Sequence, residues 1–145
     1  MILVDTNVLS ELMRPRQDPN VLAWTDRHTD EIGIPAQVLS ELVYGIERVQ
    51  SRDRQMTLRN GLALLLIRIG DRVVPFDREA AESYGWLRAK LESEGRPGAI
   101  LDSQIAALAI TRQVAVATRN TRHFEWMGVL AIDPWVTWEA GSSAV

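Results

Sequence analysis

The chain has 145 residues and a net charge of −3, with 46% hydrophobic residues, 24% charged residues and no cysteine. This is the composition of one globular domain, and it excludes a disordered tract, a disulfide-stapled module and a thiolate metal site. The acidic balance argues against an indiscriminate nucleic-acid binder. It leaves room for a nuclease, because metal-binding carboxylates lower a net charge that bound cations restore locally.

Met1-Ile2-Leu3-Val4 before Asp5 offers neither a basic region nor a signal-peptide core. Apolar runs such as Leu62 to Ile67 are too short to cross a bilayer. A cytoplasmic protein is expected. Lys90 is the only lysine, so the basic residues are nearly all arginine. Arginine suits bidentate phosphate contacts, although codon usage in a GC-rich genome gives the same bias.

Along the chain, short β-like runs alternate with helical stretches, the pattern of a parallel sheet flanked by helices. Ile2-Leu3-Val4 predicts a buried central strand. Asn7 to Met13 reads as a short helix stopped by Pro15, and Pro19 to His28 as another with proline at its start. Glu31 to Ile34 is a second strand, and Pro35 opens a helix whose stripe is Leu39, Leu42, Val43 and Ile46. A helix from about Asp53 to Ile69 follows, with Leu58, Leu62, Leu65, Leu66 and Ile69 on one side. Arg72 to Phe76 is the third strand, and Asp77 caps a helix running to Glu94 and stopped by Gly95. After the Arg96-Pro97-Gly98 turn, Ala99 to Arg112 forms a helix with Leu101, Ile105, Leu108 and Ala109 inward. Val114 to Ala117 and Val129 to Ile132 are strands four and five. The domain is expected to span residues 1–135, with 136–145 as a C-terminal tail. The five tryptophans, Trp24, Trp86, Trp126, Trp135 and Trp138, are expected in the core and at interfaces rather than as base-stacking platforms.

In an open parallel sheet, ligands bind at the carboxyl ends of the strands. Strand one ends in Asp5-Thr6-Asn7 and strand four in Thr118-Arg119-Asn120, two places that meet if these strands are neighbours. A carboxylate directly after a buried strand is costly unless it is paired, hydrogen-bonded or bound to a cation. Each polar residue also has a plainer reading. Asp5 can cap the next helix, Asp102 can complement a helix dipole, Glu41 can be a solvated surface residue, and Asn120 can form a turn.

Taken together, the motifs resemble the PIN-domain ribonucleases of the VapC type. The likeness runs through Asp5-Thr6-Asn7-Val8-Leu9-Ser10-Glu11, Ser40-Glu41-Leu42 with Tyr44-Gly45, and Asp77 after Pro75-Phe76. It continues in Leu101-Asp102-Ser103-Gln104-Ile105-Ala106-Ala107 and Ala117-Thr118-Arg119-Asn120-Thr121-Arg122-His123-Phe124. The closing Asp133-Pro134-Trp135 is similar to the FitB-like branch. The resemblance implies a Rossmann-like PIN fold of the α/β class, with about five parallel strands. It further implies a magnesium-dependent endoribonuclease (manganese substituting) that serves as the toxin of a VapBC-type pair. Asp5, Glu41 and Asp102 match the family's principal acidic positions and would hold the metal. Thr6, Asn7 and Thr118 would support them, and Arg119, Arg122 or His123 would contact flanking phosphates. The implied partners are RNA, a small antitoxin docking on the helical pair after strand two, and a second copy of the chain.

The fourth position, often aspartate in the family, is Asn120 here. An amide oxygen still coordinates a hard cation or orients water, but one charge is gone, so the first metal site is expected and a second is not expected to fill without substrate. A receiver-type phosphoacceptor domain fits poorly, since Asp5 is followed by Thr6 and the only lysine lies in a helix. An aspartyl-phosphate phosphatase wants an aspartate where Asn7 stands. The rival of a different class is a catalytically silent PIN-fold module that binds RNA or a partner, a reading that Asn120 favours and the three intact acids oppose. Asn120→Asp is expected to tighten magnesium binding. Titration calorimetry checks this, and an unchanged or weaker affinity would contradict it.

Overall fold

The computed structural model describes residues 1–136, so Trp138 and all but the first residue of the expected tail lie outside the described part. Five parallel strands alternate with seven helices among those residues: β1 (Ile2–Val4), α1 (Thr6–Leu12), α2 (Pro19–His28), β2 (Ile32–Pro35), α3 (Ala36–Glu47), α4 (Arg52–Ile69), β3 (Val73–Val74), α5 (Arg78–Ser93), α6 (Ile100–Arg112), β4 (Ala115–Ala117), α7 (Thr121–Trp126) and β5 (Ala131–Ile132). The strand order is β3-β2-β1-β4-β5, so the chain's first strand lies in the middle of the sheet.

That position explains the all-apolar β1. Both its faces are covered, and Leu3 and Val4 are completely buried. Val4 pairs with Ala117, and the Asp5 N–H continues the ladder by donating to the Ala117 carbonyl at 3.1 Å. Strands one and four are neighbours, as the strand-end argument requires. The order reverses on the two sides of β1, and this switch point opens a crevice beyond the carboxyl ends of the strands.

Most helices begin where the sequence indicates. Asp77 caps α5 by accepting from the Ala80 N–H at 3.0 Å and also receives Arg112 of α6. Asp18 caps α2 with proline at its first position. The stripe of α3 buries Val38, Leu42 and Ile46, while Val43 is exposed and Leu39 only half-buried. On α4, Leu62, Leu65 and Ile69 are buried, and Leu64 and Ile67 face outward.

Two differences from expectation have local causes. The third strand is only Val73–Val74 rather than Arg72 to Phe76. Pro75 has no N–H to give the ladder, and the Arg72 guanidinium turns back to the carbonyls of Ile32 (2.8 Å), Ile69 (2.6 Å) and Thr29. The six-residue α7 was not indicated by the sequence pattern at all. It is too short to show a helical period, and Phe124 is its one buried residue. The tryptophans also divide. Trp24 is buried and Trp135 half-buried, but Trp86 and Trp126 are largely exposed.

Phe124, fully buried, is the anchor that holds α7 beside β5. Phe124→Ala is expected to cost about 3–5 kcal/mol of stability, as large buried aromatics do. Urea denaturation checks it, with the loss appearing in the midpoint and not in the slope.

Candidate active site

Asp5 is both the residue after β1 and the N-cap of α1, and only 5% of its surface is exposed. Its Oδ1 accepts from the Val8 N–H at 3.1 Å, and its Oδ2 accepts from the Thr118 hydroxyl at 2.5 Å. Thr118 ends β4 and is itself completely buried; its hydroxyl also accepts the Asn120 N–H at 3.0 Å. The ends of the two central strands are thus joined by a carboxylate–hydroxyl bond.

The other two acids arrive on helices. Asp102 lies in the first turn of α6, where the helix dipole favours an anion. It is close enough to Asp5 for its charge to act on that carboxyl. Its Oδ2 contacts His123 Nδ1 at 3.0 Å. Glu41, exposed on α3, accepts a hydrogen bond from the Thr6 hydroxyl, one residue beyond Asp5. Asn7 is exposed, and only its backbone N–H reaches the Asp5 carboxylate. Asn120 places its amide nitrogen 3.2 Å from His123 Nδ1. Arg119 lies over the Trp135 ring, 4.8 Å from its centroid, and Arg122 is exposed at the start of α7.

Burial holds the Asp5 carboxyl above the ordinary aspartate range, and the Asp102 charge pushes the same way. The Thr118 hydroxyl and the N–H groups of Val8 and Asn7 oppose the shift without cancelling it. Among the described residues, no lysine or arginine forms an ion pair with Asp5, Glu41 or Asp102. Arginines are instead paired at Glu11, Asp26, Glu47, Asp77, Glu82 and Glu92. Two neighbouring carboxylates without a lysine or arginine partner are a donor set that fits a hard divalent cation. No three acidic or histidine side chains stand close enough for a ready-made cage among these residues. Asp5 and Asp102 form the inner pair, and Glu41 stands at its edge on Thr6.

The PIN domain family matches residues 2–128. The chain belongs to the PIN-domain family. Its relatives include the VapC ribonuclease Y4jK of Sinorhizobium fredii, 37% identical over 93% of this chain and 98% of the relative. Toxin FitB of Neisseria gonorrhoeae is 32% identical over 93% of this chain and 99% of its own length. The crystal structure of FitAcB from Neisseria gonorrhoeae superposes with a TM-score of 0.84 at 33% identity, covering 93% of this chain and 99% of that one. The chain is therefore a VapC-type PIN-domain nuclease with the expected fold, and PIN-domain nucleases generally depend on a divalent metal.

His123, expected as a phosphate contact or an ordinary surface residue, stands beside Asp102 with its ring mostly covered. The one available signal was its position three residues after Asn120, and that spacing carries meaning only once α7 is known to be helical.

The raised Asp5 value has a consequence for stability. Between the unfolded and folded values the folded state holds the extra proton, so stability falls as pH rises through this window and stays lower at neutral pH. Asp5→Asn keeps a cap acceptor and loses the buried charge. In EDTA it is expected to raise Tm at pH 7 by a few degrees. The gain should close as the pH approaches the ordinary aspartate value of about 3.9. A thermal-melt series across pH checks both the sign and the convergence.

Proposed function

We propose that this protein is the toxin of a VapBC-type pair, an endoribonuclease that hydrolyses RNA phosphodiester bonds with a magnesium ion (manganese substituting) at Asp5 and Asp102. The observation that carries this reading is the pair of acids at the sheet's switch point, one buried and neither paired with a lysine or arginine among the described residues. When bound there, such a cation activates a water and neutralises charge developing on the phosphoryl group.

The chain's own residues supply the placement. Thr118 and the Val8 N–H fix the Asp5 carboxylate, and the first turn of α6 presents Asp102. Glu41 binds the ion directly or through one of the waters that magnesium retains. Beside Glu41 a cavity of about 400 Å³ is lined by Thr6, Ser10, Arg14 and Arg54. The Arg54 guanidinium suits the phosphates flanking the scissile bond, whereas Arg14 is paired with Glu11. Arg122 is a further phosphate contact in this reading, a role for which it is better placed than Arg119, whose guanidinium already covers Trp135.

A small antitoxin is the protein partner. Its docking surface is the α3–α4 pair, where Leu39, Val43, Ile46, Leu62 and Leu66 line an apolar groove of about 220 Å³. The toxin acts as a homodimer in the cytoplasm, and no described helix is long and apolar enough to cross a membrane.

Purified protein, free of antitoxin, is expected to cut a structured RNA pool in magnesium and not in EDTA. Asp5→Ala and Asp102→Ala should each lower cleavage at least a hundredfold while keeping a wild-type circular dichroism spectrum. Undiminished cutting by either folded variant contradicts the site. Absence of cutting in the wild type, with RNA still retained in a gel shift, would favour the silent binding module.

A further inference from the structure

His123 lies outside the set of acids, yet it makes the closest polar contact to one of them. Its Nδ1 is 3.0 Å from Asp102 Oδ2, and the imidazole is only 19% exposed. The ring is seated from several sides. Trp126 meets it edge-on with centroids 6.4 Å apart. On the far side lies Gly98, at φ +58°, where an added Cβ would fall 2.6 Å from Nε2. Arg88 of α5 fastens that turn by donating to the carbonyls of Pro97 and Gly98. A glycine, an arginine-fastened turn and a tryptophan edge thus pack the imidazole, and its Nδ1 faces Asp102.

An ionised carboxylate only accepts, so this contact requires a hydrogen on Nδ1. The same nitrogen cannot then accept from Asn120. The Asn120 amide, whose oxygen and nitrogen interchange by a flip, faces it best through Oδ1. The fourth position thus turns towards the imidazole.

We propose that His123 is a positioning residue for the metal site: its Nδ1–H holds Asp102 Oδ2 and so would leave Oδ1 free for the cation, with Asn120 steadying the imidazole. The inference rests on Asp102 being a metal ligand, as in the function proposed above. Hydrogen bonds to ligating carboxylates set their orientation, and removing such partners typically costs about 10–100-fold in metal affinity.

The test is direct Mn2+ titration of the full chain by electron paramagnetic resonance, without RNA, for wild type, Asp102→Ala, His123→Gln and His123→Asn. Asparagine carries its N–H close to the place of Nδ1, whereas glutamine carries it close to the place of Nε2. His123→Gln is expected to weaken Mn2+ binding about 10-fold or more, and His123→Asn to restore most of it, with circular dichroism unchanged in both. Binding abolished by Asp102→Ala but left at wild-type affinity by His123→Gln would overturn this inference alone. Equal losses in His123→Gln and His123→Asn would also overturn it, since ring packing and not the Nδ1 donor would then be what matters. A wild type that takes up no Mn2+ would overturn the metal reading beneath it. Imidazole 15N spectra of the metal-free wild type give an independent check: a hydrogen on Nδ1 supports the assignment, and a bare Nδ1 overturns it.

Discussion

The contact on which the site depends joins the ends of two adjacent strands, the Thr118 hydroxyl to the Asp5 carboxylate, at the centre of the sheet. A carboxylate buried there loses its hydration, and one hydroxyl with a few backbone N–H groups replaces only part of it. The remaining cost shows in the raised Asp5 value. The fold tolerates it because the other oxygen of the same carboxylate caps α1 by accepting from the Val8 N–H, so the charge does structural work at the helix start. The parallel register Ile2↔Ala115, Leu3↔Val116, Val4↔Ala117 then brings Asp5 and Thr118 level with each other. The remaining groups of the site arrive on helices whose starts lie at that edge or whose sides pass over it.

The arginines point the same way. A chain whose cations are nearly all arginine could readily have spent one on Asp5 or Asp102. Its described ion pairs instead lie elsewhere, on α1, between α3 and α4, along α5, and between α5 and α6. The exposed ones among them, such as Arg59–Glu47 and Arg78–Glu82, contribute little to stability, but the distribution of the pairs has an electrostatic result. No guanidinium neutralises the two acids at the switch point among the described residues, which favours cation affinity at a site held by only a few ligands.

Much of this was legible in the sequence, for identifiable reasons. Asp5 could be found because it breaks an apolar run at a strand end, where a charge needs explanation. Thr118 and Asn120 could be found by the same rule at the other central strand. The starts of α2 and α5 were written in Pro19 and Asp77. What the sequence concealed was short or depended on contacts between distant segments. The third strand stops before Pro75, which has no N–H for the ladder, and the Arg72 side chain meets carbonyls forty or more residues away. Glu41 and Asp102 each read equally well as surface or dipole residues, because helical periodicity says which face is buried and not what meets the other face. His123 was hidden with α7, since six residues show no period and Phe124 alone supplies the buried side.

That concealment has a physical side. The three acidic positions sit on long or central elements: the end of β1, the middle of α3 and the first turn of α6. The fourth sits before the shortest helix, and the Asn120 side chain makes no cap bond to it. Segments with few buried contacts open most readily. A carboxylate at position 120 would have added a third charge to the Asp5–Asp102 pair at the point least able to hold it in place. An amide removes that repulsion, and its partner in the fold is an imidazole held by Gly98, Arg88 and Trp126. The weakest corner of the site is thereby tied back to α5 and α6 through His123. In this chain the departure at position 120 and the seating of His123 are two parts of one arrangement.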